Sequence, residues 1–415
     1  MRSTARSIPV AALTLLLSAA LLSPACADSS APEPGEGASG SAPDSGDAST
    51  TDAPGEDGSV SQDANDSSQD GSDAGKDASS EIEPPIDAPV DAPADAPQEA
   101  EEQDAQPQDG AAEASAGNTC LDDPPPGSPT PAPWPVYAGT CPTLAAAPAN
   151  NTLQSSGASR EFMVVLPAGM TSSEKLPVVF VWHWLGGSAS DAFGELQLQA
   201  AVDLHRFIAV VPDNKGDLVL KWPFSILDSQ GRVDEEFQFF DDMLGCVAAT
   251  YPNVLRHCVS SLGVSAGALF TDQLAAARAN RLASFVSVSG GVGTTARPWG
   301  KPAHRLPGFV LWGGANDDYQ GLYDFNKGSL DLEAALVGQG NFFVECIHNC
   351  GHAVPPFEAP PGGTKFDVFW QFVFDHPFWL GTGESPFKTG LPPIYPTWCG
   401  PGKGGAVPRP DGSPC

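Results

Sequence analysis

Residues 257–280 read HCVSSLGVSAGALFTDQLAAARAN. The first part, 257–264, is a short apolar run of the length and composition of a buried strand. The last part, 266–280, has the apolar pattern of a helix. Between them lies Gly263-Val264-Ser265-Ala266-Gly267, a G-x-S-x-G. Such a pentapeptide is common by chance in a chain with 44 glycines. Its place between a strand and a helix makes it informative, because a tight strand–turn–helix lifts a serine hydroxyl clear of the sheet edge. The glycines are needed where backbone packs close. The helix start offers the backbone N–H of Ala266 to a developing negative oxygen. The plain alternative is a glycine-rich βα turn with no chemistry.

The same alternation runs outward in both directions. Strands are predicted at 161–167, 177–183, 206–212, 257–264, 284–289, 308–312 and 341–347. Helical patterns occupy about 189–204, 234–250, 266–280, 325–338 and 364–375. In the last of these, Phe366, Phe369, Trp370 and Val373 follow the spacing of one buried face. Strands alternating with helices imply an α/β fold with a mostly parallel sheet flanked by helices. Residues 120–150 read as an irregular Pro-rich lead-in, and 376–415 as a Pro/Gly-rich tail packed through Cys399 and Cys415.

Three further pieces complete a catalytic constellation. His183-Trp184-Leu185-Gly186-Gly187 ends an apolar strand upstream of the serine. A loop there can supply a second oxyanion-hole N–H, from Leu185 or from Trp184. After the serine, GFVLWGGANDDYQG places Asp317 and Asp318 just past a strand. Asp317 is preferred on spacing, with Asp318 the alternative. Last come His348, His352 and His376; His352, in the loop HNCGHAVPP, is the expected base. The order Ser…Asp…His is that of the α/β-hydrolases. Ser265 would attack an acyl carbon while His352 takes its proton and Asp317 orients the imidazole. A rival reading shares these residues: Cys346, His348, Cys350 and His352 alternate, as ligands of a zinc ion might along one strand face. The interrupting glycine and prolines argue against it, and no metal or other cofactor is expected.

The ends of the chain differ from its middle. The net charge is −31, but residues 27–119 hold most of it: 24 of the 51 acidic residues and one basic residue, Lys76. Residues 28–118 are built from Ala, Asp, Ser, Gly, Pro and Glu, without aromatics. Such a segment cannot bury enough apolar area to offset its ordering entropy, so a disordered acidic linker is expected. Nothing basic is concentrated anywhere, which argues against nucleic acid as a partner. Arg2 and Arg6 precede the apolar run Val10–Leu22, the pattern of an export signal spanning 1–27. Two processing routes fit: lipidation of Cys26 after cleavage before it, or release by cleavage after Ala27. The eight other cysteines are expected to form disulfides in an oxidising compartment, with Cys246–Cys258 the first pair to suggest itself. Residues 119–415 are left as the catalytic domain.

These pieces together resemble the exported esterase family that includes polyhydroxybutyrate depolymerases and feruloyl esterases. The resemblance covers about 160–356. It rests on PVVFVWHWLGGSASD, on VVPDNKG followed by Trp222, and on DEEFQFFDD, LGVSAG, LWGGANDD and CIHNCGHAVPP. Family members usually have Gly where this chain has Trp184, and often a second Gly where it has Ala268. The resemblance implies a disulfide-stabilised α/β-hydrolase acting on esters. Trp184 and Trp222 are candidates to line the substrate pocket. Asp234, Glu235 and Glu236 read as a helix N-terminus that favours carboxylates. The leading expectation is a serine ester hydrolase on polymer- or cell-wall-linked esters. A polyester depolymerase and an inactive surface-binding lipoprotein are the alternatives. Oligomeric state is not legible.

Overall fold

A computed structural model describes residues 119–216, 229–293, 296–380 and 383–415. The proposed signal, Cys26, the acidic linker and Trp222 lie outside the described residues. Strands β1 (Asn150–Ser155), β2 (Ala158–Val165), β3 (Leu176–Trp182), β4 (Ile208–Pro212), β5 (Val254–Val264), β6 (Ser284–Val288), β7 (Gly308–Trp312), β10 (Phe343–Ile347) and β11 (Cys399–Pro401) form one sheet. Their order is β1-β2-β4-β3-β5-β6-β7-β10-β11. The run from β4 to β10 is parallel, while β1, β2 and β11 join antiparallel at the two edges. A small hairpin, β8 (Asp318–Tyr319) and β9 (Tyr323–Asp324), follows β7.

The strands stay in place because helices cover both faces. On one face pack α3 (Gln230–Thr250), α4 (Ala266–Ala277) and α5 (Phe325–Gln339). Their Phe240, Met243, Phe270, Leu274 and Leu336 belong to one apolar cluster with Val178, Phe180 and Trp182 of β3. On the other lie α1 (Ala189–Glu195), α2 (Leu198–His205) and α6 (Asp367–Phe374). There Ala192, Val202, Phe369 and Val373 belong to a second apolar cluster with Val179 and Val181 of the same strand. Every residue of β3 is therefore buried. That is why the central strands read as unbroken apolar runs rather than alternating ones.

All seven predicted strands are present, with ends moved by a few residues. Three departures have physical causes. The predicted helix 189–204 is two, because Gln197 adopts a left-handed conformation (φ 51°) between α1 and α2. The edge strand β1, NNTLQS, was not expected: it is buried only at alternate residues and its exposed positions are polar. Helix α3 begins at Gln230, where the Ser229 side chain caps it by accepting from the Arg232 N–H. Asp234, Glu235 and Glu236 thus lie inside the helix rather than in its first turn. Glu236 is wholly buried, and Arg160 donates to both its oxygens at 2.8 and 2.9 Å.

The cysteines pair as Cys120–Cys258, Cys141–Cys246, Cys346–Cys399 and Cys350–Cys415. The expected Cys246–Cys258 pair does not form. Each of those two cysteines instead holds a segment of the lead-in, Cys141 against α3 and Cys120 against β5. Four disulfides among the described residues suit an oxidising, extracellular environment. No helix among the described residues is long and apolar enough to cross a membrane.

Candidate active site

The quoted stretch folds as β5, a turn at Ser265, and α4. Ser265 sits at φ 55°, ψ −118°, a conformation that L-residues rarely adopt. Both neighbouring glycines are enforced by close backbone. A Cβ on Gly263 would lie 2.2 Å from the Gly267 carbonyl oxygen. One on Gly267 would lie 2.2 Å from the Trp182 carbonyl oxygen, at the end of β3. The Ser265 N–H donates to the Val288 carbonyl at 2.8 Å, which ties the turn to β6.

Ser265, His352 and Asp317 are brought together. The Ser265 hydroxyl donates to His352 Nε2 across 2.9 Å. His352 Nδ1–H donates to Asp317 Oδ1 across 2.7 Å. Asp317 Oδ2 accepts from the Ser289 hydroxyl and from the Gly313 N–H, each at 2.7 Å. Asp317 is wholly buried, and this set of donors is what its carboxylate needs there. Asp318 turns away, exposed in the hairpin, and accepts from the Gly321 N–H.

The loops that carry Asp317 and His352 hold each other. The Gly351 N–H donates to the Gly313 carbonyl at 2.9 Å, and a Cβ on Gly313 would lie 1.8 Å from the Gly351 oxygen. The His352 ring stacks on Phe325 with centroids 4.3 Å apart, and Tyr319 meets it edge-on. The other two histidines stand apart from this chain. His348 is buried beside it, accepts from the Cys350 N–H, and is pushed down to about 4 by burial. His376 is buried after α6 against the Phe372 carbonyl and the Ser385 hydroxyl. The zinc reading fails on chemistry, since the thiols of Cys346 and Cys350 are both in disulfides.

Trp184 and Leu185 line the same cavity as Ser265 and His352. Their loop is braced from below. His183 is wholly buried, its Nδ1–H donates to the Trp184 carbonyl at 2.8 Å, and its Nε2 lies 3.5 Å from Asp213. Burial acts to raise the Asp213 carboxyl, but its interaction with the His183 ring and the hydrogen bond from the Asn214 N–H outweigh it and leave it lowered. Ala266 opens α4, where backbone N–H groups have no partner inside the helix.

The cavity has a volume of about 470 Å³. Leu196, Val264, Val354, Phe366 and Phe369 are among its apolar lining residues, and Glu195 lines it too. The sequence pattern had marked Phe366 and Phe369 only as a buried helix face. Ser289 was missed altogether. Its one signal was the Ser-Gly-Gly that ends a predicted strand.

No protein-family model and no curated protein sequence matches the chain. Solved structures do. Native pOPH superposes with a TM-score of 0.50 at 17% identity, covering 66% of this chain and 100% of that one. Native sOPH gives 0.50 at 17% identity, covering 65% and 96%. A ferulic acid esterase gives 0.39 at 16% identity, covering 49% and 91%. At this level of identity the first two establish the fold, which is that of the α/β-hydrolases.

Proposed function

We propose that the protein is a serine carboxylic ester hydrolase working through an acyl-enzyme. The observation that carries this reading is the unbroken hydrogen-bonded chain from Ser265 through His352 to Asp317, whose first two members line a largely apolar cavity. In the first step Ser265 Oγ attacks the ester carbon and its proton passes to His352 Nε2. The carbonyl oxygen becomes an oxyanion facing the N–H groups of Ala266 and of Leu185, with Trp184 the alternative second donor. Buried Asp317 stabilises the imidazolium so formed. His352 then gives its proton to the leaving alcohol, and the acyl group stays on Ser265. In the second step His352 deprotonates a water that attacks the acyl carbon, and Ser265 is released with its proton restored.

The cavity favours an apolar acyl group, and its aromatic wall of Trp184, Phe366 and Phe369 suits an aryl one. The alcohol side can then be large, such as a cell-wall polysaccharide. Trp222 is a further candidate for the pocket wall. A polyester depolymerase is the second reading. It is favoured by Val354, which lines the cavity yet is 57% exposed and so offers apolar surface to a solid substrate. Residues 119–415 would act as the catalytic domain, held away from a surface by 28–118 after export directed by 1–27, with Cys26 a candidate lipid anchor. A panel of feruloyl, acetyl-xylan and hydroxybutyrate esters separates the readings. The feruloyl ester is expected to give the highest kcat/KM. A preference for hydroxybutyrate oligomers would select the depolymerase, and failure on every ester would reject both.

A further inference from the structure

The three residues of the chain stand at the ends of β5, β7 and β10, yet the strand between β5 and β7 also reaches the site. Ser289 follows β6 directly, and its hydroxyl donates to Asp317 Oδ2 at 2.7 Å. The Asp317 carboxylate could otherwise rotate about its bond to Cβ with only the Gly313 N–H to hold Oδ2. Two donors on Oδ2 leave Oδ1 facing His352.

Ser289 is itself firmly placed. It has φ 49°, and its N–H donates to the Leu311 carbonyl at 2.7 Å. Its neighbours on both sides are tied to α4, the helix that begins at the nucleophile. Asp272 Oδ2 accepts from the Ser287 hydroxyl at 3.0 Å and from the Gly291 N–H at 2.7 Å. Between them Gly290 has no room for a side chain, since a Cβ there would lie 2.1 Å from Ser287 Oγ. Asp272 therefore links the helix that positions Ser265 to the turn that positions the acid.

We propose that Ser289 is a positioning residue of this esterase, which fixes the Asp317 carboxylate against His352 and is held in turn by Asp272. This inference rests on the serine-esterase reading. Its consequence is a role in tautomer control and proton affinity of the imidazole as well as in packing. Without the Ser289 hydroxyl, the Asp317 charge is less shared and attracts the imidazolium more strongly, so the acid limb of the pH profile moves upward.

The other titratable groups around the pair do not confuse this readout. Asp272, behind Ser289 on α4, is raised by burial to about 8 and is protonated across the acid limb. His348, on the base loop, is lowered to about 4 and stays neutral there. Burial raises Tyr323 on β9. Tyr319 of the hairpin meets the His352 ring, and Glu195 lines the cavity. Neither Tyr319 nor Glu195 is altered by the substitution.

The test is a pH–rate profile for Ser289→Ala and Ser289→Gly in the full chain on a soluble ester. Glycine suits the positive φ, so the second variant removes the hydroxyl without backbone strain. Both should lower kcat by roughly 10- to 100-fold, the effect of losing one hydrogen bond to a charged group. KM should change far less, and the acid limb of kcat/KM should shift upward by a few tenths of a pH unit or more. Ser289→Cys, a weaker donor, should fall between wild type and Ala. Wild-type kcat and an unmoved acid limb in folded variants would overturn the proposal. So would a drop in kcat that follows thermal stability while the acid limb stays put. If Ser265→Ala keeps its activity, the esterase reading fails; if Ser265→Ala is dead and the Ser289 variants are unmoved, only this inference fails.

Discussion

Ser265→Ala is expected to lower kcat on a soluble ester by roughly 10⁴–10⁶, with little change in fold. The side chain sits on a turn whose shape is set by Gly263 and Gly267 packing against backbone, so removing one hydroxyl leaves the turn intact. The loss comes from the nucleophile alone. His352→Ala should cost about as much, because a serine hydroxyl without a base is a poor nucleophile at neutral pH. The two act as one unit across 2.9 Å, so the double variant should be no worse than either single one. Steady-state kinetics on protein with unchanged circular dichroism checks all three.

Asp317→Asn is expected to lower kcat by on the order of 10⁴, whereas Asp318→Asn should be mild. Here the hydrogen bonds say why. Oδ2 of Asp317 receives two donors, from Ser289 and from the Gly313 N–H. An asparagine must keep its carbonyl oxygen on that side, which turns its amide N–H toward His352 Nδ1. The imidazole must then accept at Nδ1 and carry its proton on Nε2, where it faces the serine and cannot take the serine's proton. Asp318 makes no such contact: its carboxylate is exposed and closes a local turn onto the Gly321 N–H. Comparable loss in both variants would mean that the charge of the loop, rather than the geometry of one carboxylate, matters.

Much of the site was legible because its parts lie at strand ends. A buried parallel strand writes itself as an apolar run, and the residues just after such runs converge at one edge of the sheet. Ser265, Asp317 and His352 each follow one of these runs, and so does the Trp184–Leu185 loop. What could not be read depends on contacts distant in sequence. The partners of Cys246 and Cys258 are set by where the lead-in crosses the domain, which no local pattern records. The break at Gln197 lies inside a stretch whose apolar spacing continues on either side. Strand β1 is short and polar on its exposed face, so it lacks the run that marks its neighbours. Ser289 looks like an ordinary turn residue until the fold sets it opposite Asp317. Asp317 and Asp318 differ by one residue of spacing, and only the fold turns the Asp317 carboxylate toward His352 and leaves that of Asp318 outside.

The most direct measurement is covalent labelling of the intact protein with a fluorophosphonate, followed by peptide mapping. An activated serine adds such a probe at phosphorus and expels fluoride, while an ordinary surface serine does not react. The expected result is one adduct per chain, on the peptide that contains Ser265, with labelling lost in Ser265→Ala and strongly slowed in His352→Ala. Folded protein that takes up no probe, or that takes it up elsewhere while the Ser265 peptide stays unmodified, would contradict the assignment of Ser265 as the nucleophile.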